Sequence, residues 1–163
     1  MREAVFNALG SLDAIVGARV LDLFAGSGAL GIEALSRGAE HAVFVDTSPR
    51  ALEAVRANLA ASGMEGPAQV VRADALAHLR STADRYDLVL ADPPYDFDGW
   101  AELLGQLVAV APDGVVVAES DRAVPVVGGT SVLRERRYGG TVVTIISNAG
   151  PCPPDRPDRE DLT

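Results

Sequence analysis

The sequence predicts an α/β fold: a doubly wound, mostly parallel seven-stranded sheet with a C-terminal antiparallel hairpin. Three observations carry this. Five short apolar runs between residues 20 and 118 alternate with stretches of helical periodicity. The first run opens directly onto a glycine cluster, Gly26, Gly28 and Gly31, the turn that an open α/β sheet places over a ligand. Beyond residue 118 the runs 132–138 and 141–146 flank Gly139-Gly140, a hairpin signal.

Each element has a local reason. Residues 3–9 form a helix cut short, with Val5, Phe6 and Leu9 on one face to pack on the sheet. The chain therefore begins inside an element, and a segment upstream of it is expected. Residues 20–24 form the first strand, interrupted by Asp22. Residues 29–37 form a helix with Leu30, Ala34 and Leu35 apolar, stopped by Gly38. Residues 42–45 form the second strand, ending at Asp46. Ser48 caps the next helix and Pro49 occupies its first position; it runs to about residue 62 and Gly63 ends it.

Residues 68–72 form the third strand, ending before Asp74, and 75–80 a short helix. The fourth strand, 86–91, leads straight into Asp92-Pro93-Pro94-Tyr95. A helix over 100–110 and a fifth strand over 114–118 follow. One domain is expected over residues 1–148. The tail, 149–163, is expected to be disordered, because from Pro151 onward it holds four prolines, four acids and two arginines.

Composition narrows the function. At 163 residues the chain has room for one real core and no second domain. It is 48% hydrophobic and 23% charged, as a globular protein is. No apolar run approaches the roughly 20 residues that span a bilayer, and Arg2 and Glu3 exclude a secretory start. Cys152 is the single cysteine, so no internal disulfide forms and a cytoplasmic location is expected, with no membrane partner. The net charge is −9, and all 14 basic residues are Arg. Without lysine there is neither Schiff-base chemistry nor a P-loop. An acidic chain is also a poor unaided binder of a phosphate backbone.

The strand ends carry the chemistry. Glycines at 26 and 28 let the backbone turn sharply against a ligand, although a plain strand-to-helix turn would use them too. Asp46 can accept both ribose hydroxyls of an adenosine; the alternative is a cap for the helix after it. Asp22, inside the first strand, reaches the place of a ligand ammonium, as in a methionine moiety, and would repel the pyrophosphate of a dinucleotide. Asp74 can accept an adenine amino group or merely cap residues 75–80. Asp46 fits NAD as well as S-adenosylmethionine; Asp22 is the acid that favours S-adenosylmethionine.

Asp92-Pro93-Pro94-Tyr95 is the sharpest motif. The prolines fix the backbone and remove its donors, leaving the Asp92 carboxylate and the Pro93 carbonyl as acceptors. Acceptors on both hydrogens of an exocyclic NH2 would orient the nitrogen toward a sulfonium methyl. Tyr95 would offer a face to a flipped base. His41 and His78 lack metal spacing and read as surface residues, so no metal is expected. Trp100 reads as core or pocket rim. Arg134, Arg136 and Arg137 read as a solvated strand edge.

Residues 21–39, from Leu21-Asp22-Leu23-Phe24-Ala25-Gly26-Ser27-Gly28 through Gly38-Ala39, resemble motif I of the RsmD family, the 16S rRNA guanine-N2 methyltransferases. Arg2-Glu3-Ala4-Val5-Phe6-Asn7 is similar to the family's preceding helix, Asp92-Pro93-Pro94-Tyr95 to its catalytic motif, and Tyr138-Gly139-Gly140-Thr141 to its closing hairpin. The resemblance covers about residues 2–147. It implies a Rossmann-like class I methyltransferase fold, with Asp22, Gly26, Gly28, Asp46 and Asp74 at S-adenosylmethionine and Asp92, Pro93, Pro94 and Tyr95 at the base. The implied partner is 16S rRNA within a small-subunit particle, bound by a monomer. Two departures stand out: the family's basic segment before the Arg2 helix is absent, and Gly140 replaces a common acid. The rival readings are an adenine-N6 DNA or glutamine-N5 protein methyltransferase, an NAD-dependent oxidoreductase, and a non-catalytic cofactor-binding module.

Overall fold

The computed structural model describes residues 1–150. The elements run α1 (Arg2–Ser11), β1 (Arg19–Leu23), α2 (Ala29–Ser36), β2 (His41–Asp46), α3 (Pro49–Ser62), β3 (Ala68–Arg72) and α4 (Ala75–Ser81). They continue with β4 (Leu88–Ala91), α5 (Trp100–Val110), β5 (Val115–Ser120), β6 (Ser131–Tyr138) and β7 (Thr141–Ser147). All seven strands join one sheet in the order β3-β2-β1-β4-β5-β7-β6. The first five run parallel; β7 is antiparallel to both β5 and β6. This is the doubly wound α/β sheet with a closing hairpin that the sequence predicts.

Strands buried on both faces read as continuous apolar runs, and β4 is buried along its whole length. Against one face pack Val5, Phe6 and Leu9 of α1, Ala34 and Leu35 of α2, and Val55 and Leu59 of α3. Against the other pack Ala75 and Leu79 of α4 and Trp100, Leu103, Leu104 and Leu107 of α5. Trp100 is thus core. At the far end of the sheet the Asn148 side chain donates to the carbonyls of Leu107 and Ala111, tying the end of β7 to α5.

Two strand boundaries differ from the expectation. The fourth strand starts at Leu88 rather than residue 86; just ahead of it the Asp87 N–H donates to the Arg19 carbonyl and the Asp87 carboxylate accepts the Arg19 N–H, both at 2.9 Å. The fifth reaches Ser120, two residues past expectation, held by its pairing with β7. The histidines are half-buried rather than surface residues, and no described residue hydrogen-bonds His41 Nδ1 or His78 Nε2. Burial lowers the His78 pKa. The disorder expected of the tail falls mainly on residues 151–163, outside the described residues.

The order of the strands places the site. The chain starts in mid-sheet at β1, winds outward to β3, then returns to lay β4 on the other side of β1. Between the carboxyl ends of β1 and β4 the connections diverge to opposite faces and leave a crevice, the position at which open α/β sheets take ligands.

Candidate active site

The turn after β1 is held in place by its own acids. The Gly26 N–H donates to Asp46 Oδ2 and the Ser48 N–H to Asp46 Oδ1, both at 2.9 Å. Asp46 therefore fastens the glycine turn to the end of β2. Helix α3 is capped by Ser48, whose hydroxyl accepts the Ala51 N–H. Gly28 is left-handed, with φ +79, and a side chain there would press on Val55 and Phe44. Asp74 caps α4, its Oδ2 accepting the Ala77 N–H at 3.0 Å, and it also faces the crevice.

The crevice holds a cavity of about 240 Å³ lined by Asp46, Asp74 and Asp96 together with apolar walls that include Phe24 and Phe97. Phe24, Asp46, Thr47 and Pro94 also border an outer opening of about 440 Å³, whose other walls are Asp92, Pro93 and Tyr95. The structure thus brings Asp46 and Asp74 together at the inner cavity and Asp92, Pro93, Pro94 and Tyr95 at its mouth.

Asp22 lies apart. It is 1% exposed, lines neither cavity, and its Oδ2 accepts the Gly31 N–H at 3.0 Å. Burial pushes it well above the usual carboxylate range. The Gly31 bond opposes that, and the charges of Asp92, Asp46 and Glu119 add to it. Its visible work is to hold the first turn of α2.

The loop after β4 has acceptors that no described residue uses. No described residue donates a hydrogen bond to the Asp92 carboxylate or the Pro93 carbonyl, whereas the Pro94 carbonyl is taken by the Phe97 N–H at 2.9 Å. Asp92 is open to solvent on one side, yet the surrounding protein strips enough water from it to raise its pKa. Tyr95 is 59% exposed and its hydroxyl lies 3.1 Å from Thr141 Oγ1 at the start of β7. Its ring is therefore presented at the mouth rather than spent on the core.

Two features escaped the sequence reading. Phe24 has φ +55, a left-handed conformation that a bulky residue adopts only under constraint. It packs edge-on against Phe97, which packs against Trp100, so the cavity wall is braced by the core. Its signal was its place beside Gly26. The second is Glu119, 7% exposed at the end of β5. Register pairs Ala91 with Ala118, which sets Asp92 and Glu119 side by side. Burial, reinforced by the Asp92 charge and partly offset by the amine of Met1, pushes Glu119 up to about 7.

This constellation suits a cationic ligand. Carboxylates of Asp46, Asp74, Asp92 and Asp96 surround the crevice. An adenosine with a sulfonium and an ammonium group fits that donor set; a pyrophosphate does not. Among the described residues no group of three or more His, Cys, Asp or Glu side chains could hold a metal ion, and no helix is long and apolar enough to cross a membrane.

The family model described as Conserved hypothetical protein 95 matches residues 1–147. YlbH of Bacillus subtilis (strain 168) is 40% identical over 159 residues, covering 92% of this chain and 85% of YlbH. "Ribosomal RNA small subunit methyltransferase D" of Escherichia coli (strain K12) is 33% identical over 147 residues, covering 87% of this chain and 73% of that protein. A solved structure of a conserved hypothetical protein from Streptococcus pyogenes superposes with a TM-score of 0.83 at 33% identity, covering 91% of this chain and 95% of that one.

Proposed function

The chain belongs to the family described as Conserved hypothetical protein 95, the RsmD family of S-adenosylmethionine-dependent methyltransferases, and on that premise we propose that it methylates the exocyclic N2 amine of a guanine in the 16S rRNA of a small-subunit particle. The observation that carries this is the loop after β4: two acceptors unused by described residues, beside an exposed aromatic ring, at the mouth of the crevice. The ribosomal substrate rests on the name of the Escherichia coli relative.

Bound S-adenosylmethionine supplies an electrophilic methyl group on a sulfonium. Asp46 would accept the ribose hydroxyls and Asp74 the adenine amine, while Phe24 and Phe97 would wall the base. Asp22, which accepts the Gly31 N–H, would set the first turn of α2 beside the methionine end. At the mouth, Tyr95 would stack on the flipped guanine. The Asp92 carboxylate and Pro93 carbonyl would each accept one N2 hydrogen, aiming the nitrogen lone pair inward. As the nitrogen bonds to the methyl carbon, the methyl–sulfur bond would break with its electron pair left on the departing thioether; the nitrogen would gain positive charge, which Asp92 would stabilise, and then shed a proton to that carboxylate. A carboxylate raised above its ordinary range is the better acceptor for that proton.

The test is methylation of small-subunit particles with labelled cofactor, followed by nucleoside analysis. N2-methylguanosine is expected from the wild type and none from Asp92→Ala, whose cofactor affinity by calorimetry stays within about twofold, since Asp92 borders only the outer opening. Label in another nucleoside overturns the guanine reading. Normal turnover by Asp92→Ala overturns the role of the loop.

A further inference from the structure

An RNA methyltransferase with a net charge of −9 must meet a polyanion somewhere. The crevice itself is the wrong sign: Asp46, Asp74 and Asp96 line it, and on its α5 flank Arg80 and Arg122 are paired with Glu102 and Asp121. The outer edge of the sheet beyond β5 and β7 is different. Strand β6 is the free edge of the sheet, and Arg134, Arg136 and Arg137 on it are all exposed. None of the three forms an ion pair or side-chain hydrogen bond with a described residue.

Register ties this edge to the catalytic loop. Arg136 pairs with Val143, and Val143 with Glu119, the neighbour of Asp92. Asp92, Glu119, Val143 and Arg136 therefore form one row across the sheet. Three strand spacings of about 4.8 Å put the Arg136 backbone about 14 Å from that of Asp92, and an extended arginine shortens the gap further. The hairpin is also pinned to the loop, through Thr141 Oγ1 and the Tyr95 hydroxyl at 3.1 Å. Arg134 and Arg136 emerge on the α1 face beside Ala4 and Ala8, and Arg137 on the other together with Glu135, so the α1 face carries the denser positive charge.

We propose that the β6 edge, through Arg134, Arg136 and Arg137, is the surface that grips the phosphates of the single-stranded RNA flanking the target nucleotide. The strand enters across the hairpin, away from the acids that hold the cationic cofactor, and delivers its flipped base to Tyr95. The inference rests on the RNA reading above. The bland use of such arginines is to keep a free strand edge from pairing with another chain, and the experiment separates the two.

The probe is a single-stranded 16S rRNA segment, with binding measured from low to moderate salt for the wild type, the triple Arg→Gln variant at 134, 136 and 137, the matching triple Arg→Lys variant, and an Arg50→Gln/Arg56→Gln control on α3. Each lost phosphate contact lowers the slope of log affinity against log salt by about 0.7. The Gln triple is expected to bind at least tenfold more weakly with a slope shallower by about 2, while the Lys triple and the α3 control keep the wild-type slope. The thermal shift given by S-adenosylhomocysteine should be the same in all four. An unchanged slope in the Gln triple, self-association as its only defect, or no RNA binding by the wild type overturns the proposal. Wild type that binds RNA with the expected slope but methylates no particle overturns the proposed reaction and leaves this surface standing.

Discussion

Folding strips Glu119 of its water, and stability carries the mark. Its pKa rises from an ordinary 4.5 to about 7. Between those values the native state holds more protons than the unfolded chain, so stability falls as pH rises from about 4.5 to about 7 and stays lower above. Buried Asp22 is displaced in the same direction and adds to the trend. Glu119→Gln removes the ionisable group. Urea melts at pH 5 and pH 8 should therefore show a smaller loss in the variant, and a variant more stable than wild type at pH 8; equal losses in both would mean the carboxyl is not strained. Asp46 is the opposite case, because its oxygens already serve the Gly26 and Ser48 N–H groups. Asp46→Ala removes a charged acceptor worth about 1.5–3 kcal/mol and also frees the turn. Calorimetry should show cofactor affinity down by at least tenfold, and an unchanged affinity would reduce Asp46 to a turn-fastening residue.

At the scale of elements, the crevice depends on how closely α2 lies on the sheet. A Cβ at Gly31 would come within 2.4 Å of the buried Phe44 ring, and the Gly31 N–H is the one that Asp22 holds. Alanine favours a helix over glycine by about 1 kcal/mol, but overpacking costs about 1–3 kcal/mol and here meets a ring with nowhere to go. Gly31→Ala should lower the urea midpoint, and Phe44→Leu in the same chain should recover part of it; an unchanged midpoint would mean α2 can lift without cost. Such packing explains what the sequence disclosed. Glycines, the Ser48-Pro49 start and apolar runs are local signals, so β1 to β4 and their helices were legible within a residue or two. Glu119 was not, because an acid after Val116-Val117-Ala118 reads as a strand end, and its burial is made by β4 and β7. Phe24 was not, because its left-handed backbone and its contact with Phe97, 73 residues later in the chain, are tertiary features with no local sequence signature beyond its place beside Gly26. Asp74 was legible only as a choice between two roles, and its geometry shows it capping α4 while facing the cavity.

For the molecule as a whole, charge sorts the ligands. The doubly wound sheet and its glycine turn would serve a dinucleotide equally well, so fold alone does not choose the cofactor. The acids do: Asp46, Asp74 and Asp96 line the cavity, on a chain of net charge −9. A sulfonium with an ammonium group gains from that field, and a pyrophosphate loses. A ligand at 100 times its dissociation constant stabilises the native state by about 2.7 kcal/mol. At 2–4 °C per kcal/mol, a domain of this size should melt roughly 5–10 °C higher. S-adenosylmethionine should give that shift, and NAD should give none at the same concentration. S-adenosylhomocysteine lacks the sulfonium charge but keeps the adenosine and the ammonium, so it should shift the melt as well. Raising salt should shrink the shift from S-adenosylmethionine more than that from S-adenosylhomocysteine, since only the first owes part of its binding to a second positive charge. A shift with NAD alone would mean that the acids do not select, and the assignment of the crevice to S-adenosylmethionine would fall with them.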